Sequence, residues 1–174
     1  IFEEIMDVEG VVGSFINYGQ INLIQKNYEQ AEKYFLLALK TLKKYNSEYS
    51  LALLYDNLGC TYMEQGAITS DINIKKTKFE SAKNYLEKAL YYHRAKNDLY
   101  GEAVTLYDIS TIYNNQKQYD KAIKYADSSL VKAVQSDFLS IETRGYQNLS
   151  DIYKKLHNYE KALEYHTLFK LYND

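Results

Sequence analysis

Four polar residues recur at matched places along the chain, Asn17, Asn57, Asp108 and Asn148, separated by 40, 51 and 40 residues. An asparagine side chain carries an amide donor and a carbonyl acceptor, the complement of a peptide unit. A row of such side chains can hold the main chain of an extended peptide irrespective of its sequence. At about 0.5–1.5 kcal/mol net per hydrogen bond, three or four contacts do not give tight binding, so flanking side chains must add specificity. By helical phase those flanking residues are Gln20, Tyr107, Thr111, Asn114, Gln147 and Asp151, together with Ile16, Leu23, Asp56, Cys60, Met63 and Lys154. The competing assignment is that the amides bond only to neighbouring helices or to water.

Other chemistries find little support. His93, His157 and His166 lie in separate segments without HExxH, paired-cysteine or comparable spacing, so no metal or cofactor is expected. No glycine-rich phosphate loop or nucleophile elbow occurs, and enzyme activity is not expected. The single cysteine, Cys60, excludes an intrachain disulfide but leaves the compartment open. A net charge of -2, from 21 basic and 23 acidic residues spread along the chain, argues against direct nucleic-acid contact. Apolar runs such as Phe35 to Leu39 fall far short of the roughly 18 residues that span a bilayer, so this segment is not expected to insert.

The elements that must position the row follow from self-similarity. The segments NYEQAEKYFLLAL, KFESAKNYLEKAL, QYDKAIKYADSSL and NYEKALEYHTLFK align without gaps, with alanines at Ala31, Ala82, Ala122 and Ala162. Upstream of each lies a second shared segment with a small residue at Gly19, Gly59, Ser110 and Ser150. The period is 40 residues, and eleven extra residues enter the second repeat at about 67–78. Both segments place apolar side chains at three- and four-residue steps, as Tyr146, Leu149, Ile152, Tyr153 and Leu156 do, which is the pattern of an amphipathic helix. Zero prolines suit helices joined by short turns, with Asn27 and Asn158 as expected caps. Small residues allow close approach of the two helices, and Tyr62, Tyr113 and Tyr153 are expected to fill the notches. A single hairpin cannot bury both its faces, so neighbours are expected to stack. The predicted fold is all-α: a right-handed superhelix of four α-α hairpins over 1–174, with repeats at about 8–46, 47–97, 98–136 and 137–174.

The small residue, an aromatic three later, an aromatic nine later and an alanine twelve later together resemble the tetratricopeptide repeat. The resemblance covers roughly residues 10 to 172. It departs at Asn22, where an aromatic is expected, at Ser129 and Phe169, where alanine is expected, and in the missing closing prolines. The resemblance implies an α-solenoid whose first helices line a concave groove, with the row from Asn17 to Asn148 pointing into it. The 40-residue period is similar to longer-helix variants in bacterial signalling regulators and kinesin light chains, which implies binding of a protein or extended peptide. The segment NYEKALEYHTLFKLYND resembles the closing repeat of sensor regions in two-component kinases and transcriptional regulators of the Bacteroidetes, which implies a periplasmic sensor region or a cytoplasmic regulator. The carboxylate clamp of the chaperone-binding branch is not matched: Ile16, Gln20, Asn57, Val104 and Asp108 stand at its positions, and only Asn57 agrees. An alternative function is a structural spacer or dimerisation module with an empty groove.

Residues 1–6 are read as the tail of a preceding helix, with Asp7 as cap. The last helix carries Leu163, Leu168, Phe169, Leu171 and Tyr172, so a further helix or a homodimer partner is expected to cover it. Many of the twenty tyrosines, including Tyr28, Tyr119 and Tyr159, fall at repeated positions read as core, whereas Tyr49, Tyr91, Tyr92 and Tyr100 fall near junctions. His166 is read as a packing residue. The insertion AITSDINIKKTK forms either a protruding loop or an extension of the following helix.

Overall fold

The computed structural model describes residues 2–173, with side chains from position 8 onward. Eight helices follow one another: α1 (Phe2–Ile24), α2 (Tyr28–Lys44), α3 (Leu51–Ile68), α4 (Ile72–Ala95), α5 (Leu99–Asn115), α6 (Tyr119–Gln135), α7 (Leu139–Lys155) and α8 (Tyr159–Asn173). No strand occurs among the described residues. The chain divides into two compact units, 1–92 and 93–174, each built on two antiparallel helical hairpins.

Six of the seven turns begin alike, and glycine has no part in them; α3 ends instead on extended Thr69. Lys26, Asn46, Asn97, Lys117, Asp137 and His157 each adopt positive φ just after a helix. The next residue then donates its N–H back across the last turn, as Asn27 does to Asn22 O (2.8 Å) and Gln118 to Tyr113 O (2.9 Å). This is the left-handed termination that satisfies orphan carbonyls, and it reverses the chain within three residues everywhere but between α2 and α3, where six intervene. Of the two expected caps, Asn158 Oδ1 accepts from Lys161 N (3.2 Å), while Asn27 makes no capping bond. The expected break at Asp7 is absent from the backbone: α1 runs unbroken from Phe2, since no helix breaker interrupts IFEEIM; Ile1 lies outside the described residues.

The glycines at the repeated small position work in packing instead. In unit 1 Gly19 lies under the buried ring of Phe35, and a Cβ on Gly59 would stand 2.6 Å from Cγ of the buried Leu86. The core of that unit gathers Val12, Ile16, Phe35, Leu42, Leu54, Leu58 and Ala89. In unit 2 serine takes the same place and adds a bond: Ser110 Oγ donates to Ala122 O (2.8 Å) and Ser150 Oγ to Ala162 O (2.9 Å). Ser129 likewise donates to Ala103 O (2.7 Å), so its departure from alanine costs no unsatisfied hydroxyl.

The tyrosines expected in the notches lie beside them. Tyr62 stacks on Tyr85, Tyr113 on Tyr125 and Tyr153 on Tyr165, with centroids 5.5, 5.4 and 5.7 Å apart. Lys78, Lys121 and Lys161 sit over the outer rings at 4.7, 5.3 and 5.0 Å. The reason is size: the glycine notches already close on Phe35 and Leu86, so the tyrosines stack in pairs beside them. Where Asn22 replaces the aromatic, Tyr34 stacks on Tyr18 instead (5.5 Å). Tyr159, read as core, is 66% exposed, since no helix among the described residues follows α8 to cover it. Tyr49, Tyr91 and Tyr100 are exposed at the junctions, and His166 is half-buried against Phe169.

The insertion lengthens a helix. Its first residues finish α3, residues 69–71 bend, and the remainder forms the opening turns of α4, which has 24 residues against 17 in α2 and α6. Asp71 provides the cap, its Oδ1 accepting from Asn73 N (2.8 Å) and Ile74 N (3.0 Å).

Candidate functional site

The four row positions meet different fates. In unit 1, Asn17 is exposed on α1 and Gln20 is half-buried one turn on. Asn57, at the middle of α3, has its amide nitrogen buried with no hydrogen-bond partner in the protein. An unpaired buried donor costs about 1–3 kcal/mol, so the protein alone leaves this group unfinished. In unit 2, Asp108 and Asn148 are both buried. Asn148 Nδ2 donates to Ser110 Oγ (2.9 Å), and that hydroxyl in turn donates a hydrogen bond to Ala122 O. Asn148 therefore ties α7 to α5, the competing assignment that the sequence left open.

Their neighbours on α5 and α7 in unit 2 form a partly exposed polar surface. The Arg144 guanidinium lies 4.3 Å from the Tyr107 ring centroid, and Lys155 Nζ donates to Asn114 Oδ1 (2.9 Å). Thr111 Oγ1 is turned back to Tyr107 O (3.1 Å). Gln147 and Asp151 are exposed, with Lys154 Nζ 3.8 Å from the Asp151 carboxylate. Deeper in the unit the Glu102 carboxylate is buried between Arg94 (3.6 Å) and Lys132 (3.5 Å), and Asp98 holds both Gly101 N (2.9 Å) and His93 Nδ1 (2.8 Å). These contacts fix the start of α5. No group of three or more histidine, cysteine, aspartate or glutamate side chains placed to hold a metal occurs among the described residues.

A second candidate lies in unit 1, where the insertion meets the turn between α1 and α2. A cleft of about 740 Å³ is lined by this turn, by the start of α2 and by Gln65, Ile68, Thr69, Ile74 and Lys78. At its base Glu32 accepts from Tyr62 Oη (2.7 Å) and Gln65 Nε2 (2.8 Å), with Lys78 Nζ at 3.5 Å. Burial by itself would raise the Glu32 carboxyl, but these three donors favour its charged form, and its pKa is lowered. Burial and the facing carboxylate push the Tyr62 phenol far above its ordinary value. Beside them Tyr28 Oη donates to Glu64 (3.4 Å). Because an ionised carboxylate only accepts, Glu32 fixes which end of the Gln65 amide faces it. The other end, Oε1, is buried without a donor.

Glu32, Gln65 and Tyr28 escaped the sequence reading as a site. A signal was present: the residue after the repeated alanine is Glu32, then Lys83, Ile123 and Leu163, so the carboxylate is peculiar to the first repeat. It faces the hairpin that carries the insertion.

Antiparallel helix pairs at a 40-residue step, joined by left-handed turns and notched by glycine or serine, define an α-solenoid class of helical-hairpin scaffold. A family model described as tetratricopeptide repeat matches residues 12–41, 103–130 and 143–165, which fall in the first, third and fourth hairpins. The chain carries tetratricopeptide repeats, which generally mediate protein–protein interaction and are typically non-enzymatic. Comparison with curated proteins gives no match.

Proposed function

We propose that this chain is a scaffold that holds an extended peptide segment of a partner protein along its first helices. It would serve as the ligand-recognition or interaction region of a bacterial signalling or transcriptional regulatory protein. The observation that carries the peptide reading is the buried, unpartnered amide nitrogen of Asn57, at one of the positions the repeat pattern selects for binding main chain. A peptide carbonyl is the acceptor it lacks. Support for the signalling context is the resemblance of the 40-residue period and of the closing segment to such regulators. A periplasmic sensor region and a cytoplasmic regulator both accord with it, and among the described residues no helix is long and apolar enough to cross a membrane.

The test pans the intact chain against random peptides displayed on phage and titrates a selected peptide calorimetrically. Asn57→Ala is expected to weaken binding about three- to tenfold, the worth of one hydrogen bond. Equal affinity for wild type and variant would defeat the amide mechanism. A spacer or dimerisation module is the alternative, favoured by Leu163 and Leu171, which are 67% and 70% exposed on α8. Sedimentation separates the two: a dimer dispersed by Leu163→Glu with Leu171→Glu supports the alternative, and a monomer at all concentrations eliminates it.

A further inference from the structure

We infer that the cleft beside the insertion is a second binding site, for an apolar residue of an extended peptide with a main-chain N–H available for donation. The inference rests on the protein-binding reading of the chain but not on the amide row. Four properties of the cleft converge on that occupant. Its volume, about 740 Å³, accommodates a large side chain together with its flanking peptide groups. Its acceptor is Gln65 Oε1, buried and without a donor, in an amide whose orientation Glu32 has already fixed. Its lip is apolar: Ile68 and Ile74, both exposed, stand on either side of the bend at 69–71. Its formal charge is balanced, Lys26 and Lys78 against Glu29 and Glu32, so neither a free anion nor a free cation gains a net attraction.

The donors at the base are already committed. Tyr62, Gln65 Nε2 and Lys78 all converge on Glu32, leaving an acceptor as the unanswered group. A peptide N–H answers it, and the adjoining side chain covers Ile68 and Ile74. Both isoleucines belong to the eleven-residue excess of the second repeat and its immediate flank, so a regular repeat would have neither the lip nor the bend.

The probe is N-acetyl-leucine N-methylamide, titrated into the intact chain with isotope-labelled isoleucine methyls observed by NMR. Saturable shifts of the Ile68 and Ile74 methyls are expected. Acetyl-N-methyl-leucine dimethylamide, which has no N–H, should bind about three- to tenfold more weakly. Ile74→Asp should weaken the first probe at least about tenfold, whereas Ile72→Asp, on the same exposed turn but outside the cleft lining, should leave it unchanged. Circular dichroism confirms that both variants fold. The inference is overturned if the two methyls do not shift, if the analogue without N–H binds equally, if both aspartate variants respond alike, or if the acetylated methylamides of arginine or glutamate bind better than that of leucine. Asn57→Ala separates the two sites: it should leave the leucine probe unaffected, and a cleft that ignores the probe while Asn57→Ala still weakens phage-selected peptides sinks this inference alone.

Discussion

Replacing Gly59 by alanine sets two effects of opposite sign against each other, and the structure decides which wins. Gly59 lies in the middle of α3, where alanine should stabilise the helix by about 1 kcal/mol relative to glycine. The added Cβ would stand 2.6 Å from both Cγ and Cδ2 of Leu86 and 3.4 Å from Ala82 O. Leu86 is fully buried and is met at Cγ as well as at Cδ2, so relief requires its side chain or α4 to shift within the core. Overpacking of this kind costs about 1–3 kcal/mol, which leaves a net loss of up to about 2 kcal/mol. Gly13, in the middle of α1, is the control: nothing lies within 4 Å of its would-be Cβ, so Gly13→Ala keeps the whole helical gain of about 1 kcal/mol. Urea unfolding followed by circular dichroism should therefore shift the two midpoints in opposite directions with unchanged slopes. Leu86→Ala removes the obstructing side chain at a cost of about 2–5 kcal/mol, and the double variant Gly59→Ala with Leu86→Ala should lose less than the sum of the singles. A Gly59→Ala chain as stable as Gly13→Ala, or strict additivity in the double variant, would refute the claim that this glycine exists for close helix approach.

Two further outcomes follow from the turns and from the cleft. Glu32 has a lowered pKa in the folded chain, so its stabilisation is complete above the ordinary value of 4.5 and is lost as pH falls through the lower folded value. Glu32→Gln should therefore flatten the decline in urea midpoint below that pH, and parallel pH profiles for variant and wild type would show that the carboxylate is not held by its three donors. Lys117 has φ 59°, so Lys117→Val should destabilise by roughly 1–2 kcal/mol while Lys117→Gly does not, and equal midpoints for the two would contradict a left-handed turn there.

Much of the architecture was legible because helical packing writes itself into the chain as a period. The alanines, the small residues and the absence of proline placed four hairpins, and each feature reflects a local steric requirement that holds wherever the hairpin sits. What fills each notch was not legible: Phe35 and Leu86 occupy positions that repeat as surely as the tyrosines do, and only packing shows which side chain the glycine meets. The same applies to the amide row. Asn57 and Asn148 are equivalent by phase, yet Asn148 finds the Ser110 hydroxyl on the neighbouring first helix, while Asn57 finds no partner. At the position matching Ser110 in unit 1 stands Gly19, which has no hydroxyl to offer.

Sequence by itself determined the fold class, the period and the place of the insertion, because these depend on residue types at fixed spacing. Tertiary structure alone decided that the insertion extends α4 from an aspartate cap, that Tyr62, Gln65 and Lys78 converge on Glu32, and that a cleft opens above them. The physical reason is distance along the chain. Glu32 and Lys78 are 46 residues apart, and nothing in the spacing of either reveals that two separate hairpins bring them within 3.5 Å.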